Sequence, residues 1–445
     1  MKRRAFIKQA GLAAAGAFAA PYLLPSGRLF AATGARKANH VVFCMFAGGV
    51  RNLDSVEHND GNLMKNLLNN NSSISPDIAP AMTPLPANPL SYTLDSKAAL
   101  FNEFRYKEGP TGHFNGHTVA LTGQYSNVDL VIKENPRVPT IFEYYRKHNS
   151  PAMSANNCWW VANTLGPYPA LNYSTSSGYG AAYGANFIAP TSLFSSAGQQ
   201  TIQNVYNFSN NEQQVINKLK GFTNQIFNHP TNAGDAGIIN SDQDKAQLDQ
   251  FINNMFANTN ANSNPWNIAG GMSNDMLNIY AAEEILKEFK PELLVVNMQD
   301  VDIAHFDFTS YANNLRKADY AVAHLWNTIQ NIPGMANDTI LIVAPEHGRN
   351  LNGNNSIDGF GRAALDHTAN VDLTQGDQMA REIFCMIAGP AGVIKQGFVF
   401  GNSTPVGESI EIVPTIANIL GIDSAIPGGL LVPSSSNQLL LNGFF

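Results

Sequence analysis

The amino-acid sequence predicts an α/β protein with a three-layer αβα architecture, in which helices cover both faces of a mostly parallel central sheet. Apolar runs of strand length, interrupted by turn residues, are typical of strands buried on both faces of such a sheet. Between the second and third runs, apolar residues recur at alternating spacings of four and three from Tyr311 to Ile329, which predicts an amphipathic helix. A strand, a helix and a strand in this order form a βαβ unit. The four apolar runs are residues 40–46, 293–298, 340–344 and 383–387.

The N-terminus has the pattern of an export signal. Arg3-Arg4 precede an apolar stretch, rich in Ala and Gly, that continues to about Leu24; this order is typical of a twin-arginine signal. The stretch is shorter than the roughly 20 residues that a membrane-spanning helix needs, and small residues from Ala31 to Ala35 suit cleavage. We therefore predict a signal peptide over residues 1–35, export by the twin-arginine (Tat) machinery to the periplasm or the medium, and no stable membrane span after cleavage. An uncleaved membrane anchor is the alternative.

Composition limits the class of partner. The chain has 27 Lys and Arg residues against 34 Asp and Glu residues, a formal net charge of −7. Nucleic-acid binding needs clustered basic side chains that neutralise phosphates; the basic residues here form no such cluster, so we expect no nucleic-acid partner. The three cysteines give no disulfide framework. Cys44 and Cys385 lie inside apolar runs and are expected in the core.

The middle of the chain differs in composition from the rest. Residues 151–275 are rich in Asn, Ser, Tyr and Gly, and we interpret them as an inserted cap over a core formed by residues 36–150 and 276–445. Trp159 and Trp160 would then belong to the cap, either as a lid over a site or, more simply, as packing residues. The cap holds two helical patterns, over residues 215–226 and 248–255, and Ser241 with Asp244 suits an N-cap for the second.

Carboxylate and imidazole side chains follow the predicted strands. Because the carboxyl ends of parallel strands meet at one edge of a sheet, such side chains can converge on one point. This donor set suits a divalent metal ion such as Zn²⁺, Mn²⁺ or Ca²⁺. A general base formed by one imidazole, or a polar network that only orients the loops, is the alternative. The three segments are Asn297 to Asp307, with Asp300, Asp302 and His305; Glu346-His347-Gly348-Arg349; and Asp366-His367.

The order of these motifs resembles that of the alkaline phosphatase superfamily, which includes sulfatases and phosphodiesterases. The shared order is an N-terminal strand, a nucleophile segment ending in Thr-Gly, an Asp/His segment, an acid-His-Gly segment and a late His. Thr122-Gly123 matches the Thr-Gly pair, and residues 411–421 with Pro414-Thr415 resemble a helix near the sulfatase C-terminus. The resemblance covers about residues 40–150 and 290–425, and implies an alkaline phosphatase-like fold.

Two departures distinguish this chain from the superfamily pattern. The first strand is followed by Gly48-Gly49 rather than by a metal-binding Asp, and the next acid is Asp54. His113 occupies the position, nine residues before Thr122, that a Ser, Thr or modified Cys nucleophile usually takes. Both features are similar to a narrower group, the Tat-exported, sulfatase-related family called domain of unknown function 1501 (DUF1501). Further motifs similar to that group are His113-Phe114, Glu346 to Arg349, Asp366-His367 and Gly397 to Gly401.

The resemblance implies metal ligands by position. One metal site would take His305, His367 and one aspartate, either Asp302 or Asp300; the sequence leaves the choice between the two aspartates open. The second site would take Glu346 and His347.

It also implies catalytic roles. His113 would be the reacting group, either as an acceptor of the phosphoryl or sulfuryl group or as a base for water. Arg349 would clamp the tetrahedral anion through its guanidinium or else pair with a nearby acid, and Arg51 has the same two interpretations. The implied function is an exported metal-dependent hydrolase of a phosphate or sulfate ester, acting on a small anionic or glycan-linked substrate. The alternative is a catalytically degenerate periplasmic binding or structural protein on the same fold.

Overall fold

The computed structural model describes residues 36–126, 135–149, 154–163, 168–193, 238, 240–261, 264–368, 378–401, 406–441 and 443–445. The predicted signal peptide and the helical pattern over 215–226 lie outside these ranges. Within them, no helix is both long and apolar enough to cross a membrane.

One sheet and its flanking helices form the regular structure. The strands are β1 His40–Phe46, β2 Ala98–Arg105, β3 Cys158–Val161, β4 Asn186–Ile188, β5 Leu293–Met298, β6 Thr339–Pro345, β7 Glu382–Ala388 and β8 Phe398–Phe400. The helices are α1 His113–Thr122, α2 Ile141–His148, α3 Pro190–Leu193, α4 Asp242–Ala261, α5 Asn274–Phe289, α6 Phe308–Asn331, α7 Ile412–Ile419 and α8 Gln438–Leu441. A 3₁₀ helix, Asp300–His305, follows β5.

The central sheet is mostly parallel, as the sequence predicts. Its strand order is β4-β3-β5-β1-β6-β7-β2-β8. All neighbouring pairs are parallel except those of β7, which runs antiparallel to both β6 and β2. The expectation that residues 383–387 form a parallel strand is therefore wrong in direction, because burial on both faces gives the same continuous apolar run whichever way a strand runs. β2 escaped prediction because Asn102 and Glu103 interrupt its apolar run.

Part of the predicted cap belongs to the sheet instead. β3 pairs with β5, and β4 pairs with β3, so residues 158–161 and 186–188 extend the parallel sheet within the range 151–275. Trp159 and Trp160 are fully buried in β3, which excludes the lid role. The capping pattern before α4 is present: the amide of Asp244 donates to Ser241 Oγ, and the amide of Ser241 donates to Asp244 Oδ2, both at 3.1 Å.

Helices cover both faces of the sheet and complete the three layers. Side chains along β1 alternate between the two faces, and every residue of the strand is buried. One face packs against α5 and α6 through residues such as Ile279 and Leu315. The other packs against α2 and α7 through residues such as Ile141 and Ile416. The predicted three-layer αβα architecture is confirmed.

The register of the central strands places the candidate site. Phe46 at the end of β1 lies beside Met298 of β5 and Pro345 of β6. The loops that follow these three strands therefore leave the sheet at one level. The predicted Asp/His and Glu-His segments both start at this edge, which is where parallel sheets commonly bind ligands.

Candidate metal centre

Helix α1 brings His113 and His117 to the carboxyl edge of the sheet. His113 is the first residue of α1, and His117 lies one turn later on the same side. Gly116 between them faces Glu346: a Cβ built on this glycine would lie 3.0 Å from both Cβ and Oε2 of Glu346. The helix can approach Glu346 this closely because position 116 carries no side chain.

Asp302 is the centre of a first cluster. Its Oδ1 lies 3.1 Å from Nε2 of His113, 3.3 Å from Nε2 of His305 and 2.7 Å from Nη2 of Arg349. The 3₁₀ helix after β5 holds both Asp302 and His305, because three residues per turn put them on one side. One ligand atom from each of His113, Asp302, His305 and His367 lies within 4.8 Å of the others.

Glu346, which is itself fully buried, is the centre of a second cluster. Its Oε1 lies 2.7 Å from Nδ1 of His113 and 3.4 Å from Nε2 of His347, and its Oε2 contacts Nδ1 of His117. Ligand atoms of His113, Glu346 and His347 also lie within 4.8 Å of one another. His113 thus belongs to both clusters and joins them.

Each of the other four histidines in or beside the two clusters has its Nδ1 fixed by an oxygen atom. Nδ1 of His347 lies 2.8 Å from the carbonyl of Gly348, that of His305 lies 2.8 Å from Oδ1 of Asp366, and that of His367 lies 2.5 Å from the carbonyl of Thr111. Nδ1 of His117 lies 2.7 Å from the carbonyl of His113. A carbonyl can only accept, so Nδ1 carries the proton and the lone pair is on Nε2. This is how proteins orient metal-binding imidazoles.

His347 gives the clearest sign that the site suits a metal ligand. The side chain is fully buried, and in the part of the chain that the structure describes its Nε2 has no hydrogen-bond partner. An unpaired buried nitrogen of this kind costs on the order of 1–3 kcal/mol. The atom fits a metal ligand, since a neutral imidazole with a free lone pair on Nε2 is the form that binds metals.

Burial and the neighbouring charges set the protonation states. Burial lowers the pKa of His347 to about 3 and holds that of His367 well below its usual value, so both imidazoles are neutral at neutral pH. Burial also disfavours the charged form of His113, but Glu346 and Asp302 outweigh it and raise the pKa of His113 to about 9. The imidazoles around Glu346, His117 first, outweigh burial in turn and lower the pKa of that carboxyl.

Arg349 lies under the site rather than facing it. Its side chain is fully buried. The guanidinium donates to the carbonyls of Gly48, Gly49 and Leu365 as well as to Oδ1 of Asp302. With its donors directed at protein oxygens, it has no exposed edge for a substrate anion. The structure therefore favours the pairing of Arg349 with a nearby acid, Asp302, over its interpretation as a clamp for a substrate anion.

Arg51 has the same kind of role. Its guanidinium pairs with Asp54 at 2.6 Å and donates to the carbonyls of Asn350 and Leu351. Asp54, the first acid after β1, also accepts a hydrogen bond from Tyr311 at 3.0 Å. Arg51 thus holds the loop after β6, Asp54 connects Arg51 to α6, and both lie outside the two clusters.

The structure brings most of the sequence-predicted ligands together and separates one. Asp302 lies in the first cluster, whereas Asp300 accepts from Asn274 Nδ2 and from the amide of Asp275, at the start of α5. The geometry therefore favours Asp302. Sequence reasoning missed His117, which its spacing of four from His113 on a helix could have indicated. The remaining candidates, His113, His305, Glu346, His347 and His367, all lie in one or both clusters.

Comparison with known proteins finds similarity only among solved structures. No family model matches the chain, and no curated protein does. It is similar to a protein in the alkaline phosphatase superfamily from Vibrio parahaemolyticus, with 12% identity and a TM-score of 0.45 over 92% of this chain and 74% of that chain. It is also similar to the lipoteichoic acid synthase LtaP from Listeria monocytogenes, with 12% identity and a TM-score of 0.44 over 89% and 74% of the two chains. A variant of the alkaline phosphatase PafA is 10% identical, with a TM-score of 0.42 over 90% and 100%.

Proposed function

We propose that this protein binds divalent metal ions at the two clusters and hydrolyses a phosphate or sulfate ester there. The observation that carries the proposal is the buried Nε2 of His347, which has no hydrogen-bond partner among the described residues while Nδ1 of the same ring is fixed by a carbonyl. Two adjacent sets of donors joined by one residue suit a pair of metal ions. Such a pair can stabilise both the attacking and the leaving oxygen of a displacement reaction. The motif order shared with the alkaline phosphatase superfamily supports an ester substrate.

The donor set fits the metal. The first set would be Asp302, His305 and His367, and the second would be Glu346 and His347, with His117 beside them. Mixed imidazole and carboxylate donors suit Zn²⁺ or Mn²⁺ better than Ca²⁺, which prefers oxygen ligands. When bound, such ions would polarise the ester oxygens and lower the pKa of a bound water.

His113 would move a proton rather than form a covalent intermediate. Its two ring nitrogens lie 3.1 and 2.7 Å from Oδ1 of Asp302 and Oε1 of Glu346, so both are held by carboxylates and neither is free to act as a nucleophile. The side chain is 24% exposed, and a substrate can therefore reach the ring. Because the two carboxylates favour the protonated ring, we propose that they hold His113 as the group that gives a proton to the leaving oxygen.

The nearby threonine hydroxyl groups are bound to the backbone, which favours water rather than a hydroxyl side chain as the nucleophile. Thr111 donates its hydroxyl to the carbonyl of His367, and Thr118 donates its hydroxyl to the carbonyl of Phe114, both at 2.7 Å. Both hydroxyls are thus used in holding the backbone. The same observation favours the second candidate function, a binding protein that retains a metal or an anion without turnover.

Metal analysis combined with turnover distinguishes the two. Full-length protein as isolated, and after chelation and reloading with Zn²⁺, Mn²⁺ or Ca²⁺, would be assayed for metal content and for hydrolysis of aryl phosphate monoesters, diesters and sulfates. The hydrolase predicts turnover that His113→Ala reduces and His347→Ala abolishes. His324→Ala is the matched control, because His324 pairs with Glu283 outside the site. Stoichiometric metal without turnover of any ester would favour the binding protein. Absence of bound metal would contradict the hydrolase and would leave, of the second candidate, only a protein that binds an anion.

A further inference from the structure

Exposed apolar side chains concentrate beside the candidate metal centre. Isolated exposed apolar residues are normal on any protein surface and need no explanation. Here, however, five of the eight large apolar side chains exposed among the described residues lie on the two segments that carry or flank His305 and Asp366. They are Ile303, Phe306, Leu351, Ile357 and Phe360.

Hydrogen bonds hold these two segments together. The amide of Leu365 donates to the carbonyl of Ala304 at 2.7 Å. Nδ2 of Asn354 donates to the carbonyl of His305 at 3.1 Å and to Oδ1 of Asp366 at 3.0 Å. The loop after Arg349 is thus bound to the 3₁₀ helix that carries Asp302 and His305. The apolar side chains therefore belong to the same built structure as the candidate ligands.

Phe306 is the most exposed of the five. It follows His305 directly and is 72% exposed. The centroid of its ring lies 6.3 Å from that of His305, at an interplanar angle of 61°. Nε2 of His305 lies 3.3 Å from Oδ1 of Asp302 in the first cluster. A flat apolar surface and the proposed metal ligands thus lie within the length of one small molecule.

We propose that Phe306 determines specificity, and that the substrate is an ester whose organic group is apolar, either aryl or alkyl. This inference rests on the proposed function. The anionic end of such an ester would occupy the metal centre, while its apolar group covers the exposed face of Phe306. Removing an aromatic face and an apolar substituent from water together is favourable, so an ester with a larger apolar group gains more from this contact.

Substrate pairs test the inference. Phenyl and methyl esters of phosphate and of sulfate would be assayed with metal-loaded parent protein, Phe306→Ala and Phe306→Leu. Comparing each variant with the parent on the same ester cancels the different reactivity of the leaving groups. Phe306→Ala is expected to lower kcat/KM for the phenyl ester about tenfold, mainly through KM, and to change the methyl ester by less than about twofold. Phe306→Leu should lie between the parent and Phe306→Ala.

The control is Phe398→Ala, since Phe398 is also exposed but lies in the edge strand β8 beside Ala99 near the start of β2, away from the carboxyl edge of the sheet. It should leave both esters unchanged. Equal loss on both esters with Phe306→Ala, or no loss on either, would overturn the specificity role and leave the proposed hydrolase intact. If the metal-loaded parent hydrolyses none of the esters, the proposed function fails, and this inference fails with it.

Discussion

Replacing Arg349 with Met separates a structural role of this guanidinium from substrate binding. The substitution keeps much of the side-chain length but removes every donor. Asp302 would lose a partner at 2.7 Å, and the carbonyls of Gly49 and Leu365 would lose donors at 3.2 and 2.8 Å. If the side chain supports the site, as its complete burial indicates, the variant should unfold more easily even in the absence of metal and substrate.

The expected loss is large relative to typical protein stability. Removing one partner of a buried ion pair costs on the order of 3–5 kcal/mol. Because Asp302 is 24% exposed and keeps His113 and His305 as neighbours, the lower end applies, about 3 kcal/mol. Folded proteins are stable by roughly 5–15 kcal/mol, so the change should be visible in any unfolding experiment.

Thermal and urea unfolding of chelator-treated protein measure this loss without any contribution from bound metal. Arg105→Met is the control, since Arg105 pairs with Glu103 and Glu382 but is 20% exposed; its loss should be at most about 1 kcal/mol. The reasoning is refuted if Arg349→Met has the Tm of the parent while KM for an anionic ester rises about tenfold, because that pair of results describes a clamp on the substrate.

Three further predictions concern the residues that position the ligands. In Gly48→Ala the new Cβ would lie 2.6 Å from the amide nitrogen of Asp302, so we expect metal affinity in a chelator competition to fall about 10–100-fold. The control Gly428→Ala, with open space around it, should bind metal as the parent does. Equal affinities of the two variants would contradict the packing of Gly48 against Asp302. Asp275 accepts from the amides of Gln299 and Asp300 at 2.5 and 3.1 Å. Asp275→Asn should therefore lower stability by about 1 kcal/mol and weaken metal binding in the same titration; an unchanged Tm would show that these two hydrogen bonds are dispensable. His117→Phe keeps an aromatic ring without nitrogen and should lower the metal content per chain measured by mass spectrometry; a full metal content would remove His117 from the centre.

The sequence was sufficient to predict the strands that carry the site. β1, β5 and β6 are continuous apolar runs because both of their faces are buried, and the polar residues that follow them mark the carboxyl edge of the sheet. The amphipathic pattern from Tyr311 to Ile329 likewise predicted α6. These signals are local, so one sequence is enough to show them.

Other features depend on partners that are distant in sequence. The direction of β7 follows from its pairing with β2 and β6, which its own apolar run does not encode. β3 has four residues, a length at which strand and core helix look alike. The inward orientation of Arg349 arises because carbonyls of Gly48 and Leu365 surround it in the folded chain, and no spacing in the sequence shows that.

The central claim is that the two clusters bind metal, and an anomalous difference map from crystals of zinc-loaded protein tests it most directly. The account predicts peaks within about 2.0–2.2 Å of Nε2 of His347 and of the carboxylate of Asp302. Well-ordered clusters with no anomalous peak, in protein whose solution retains no stoichiometric zinc, would contradict it.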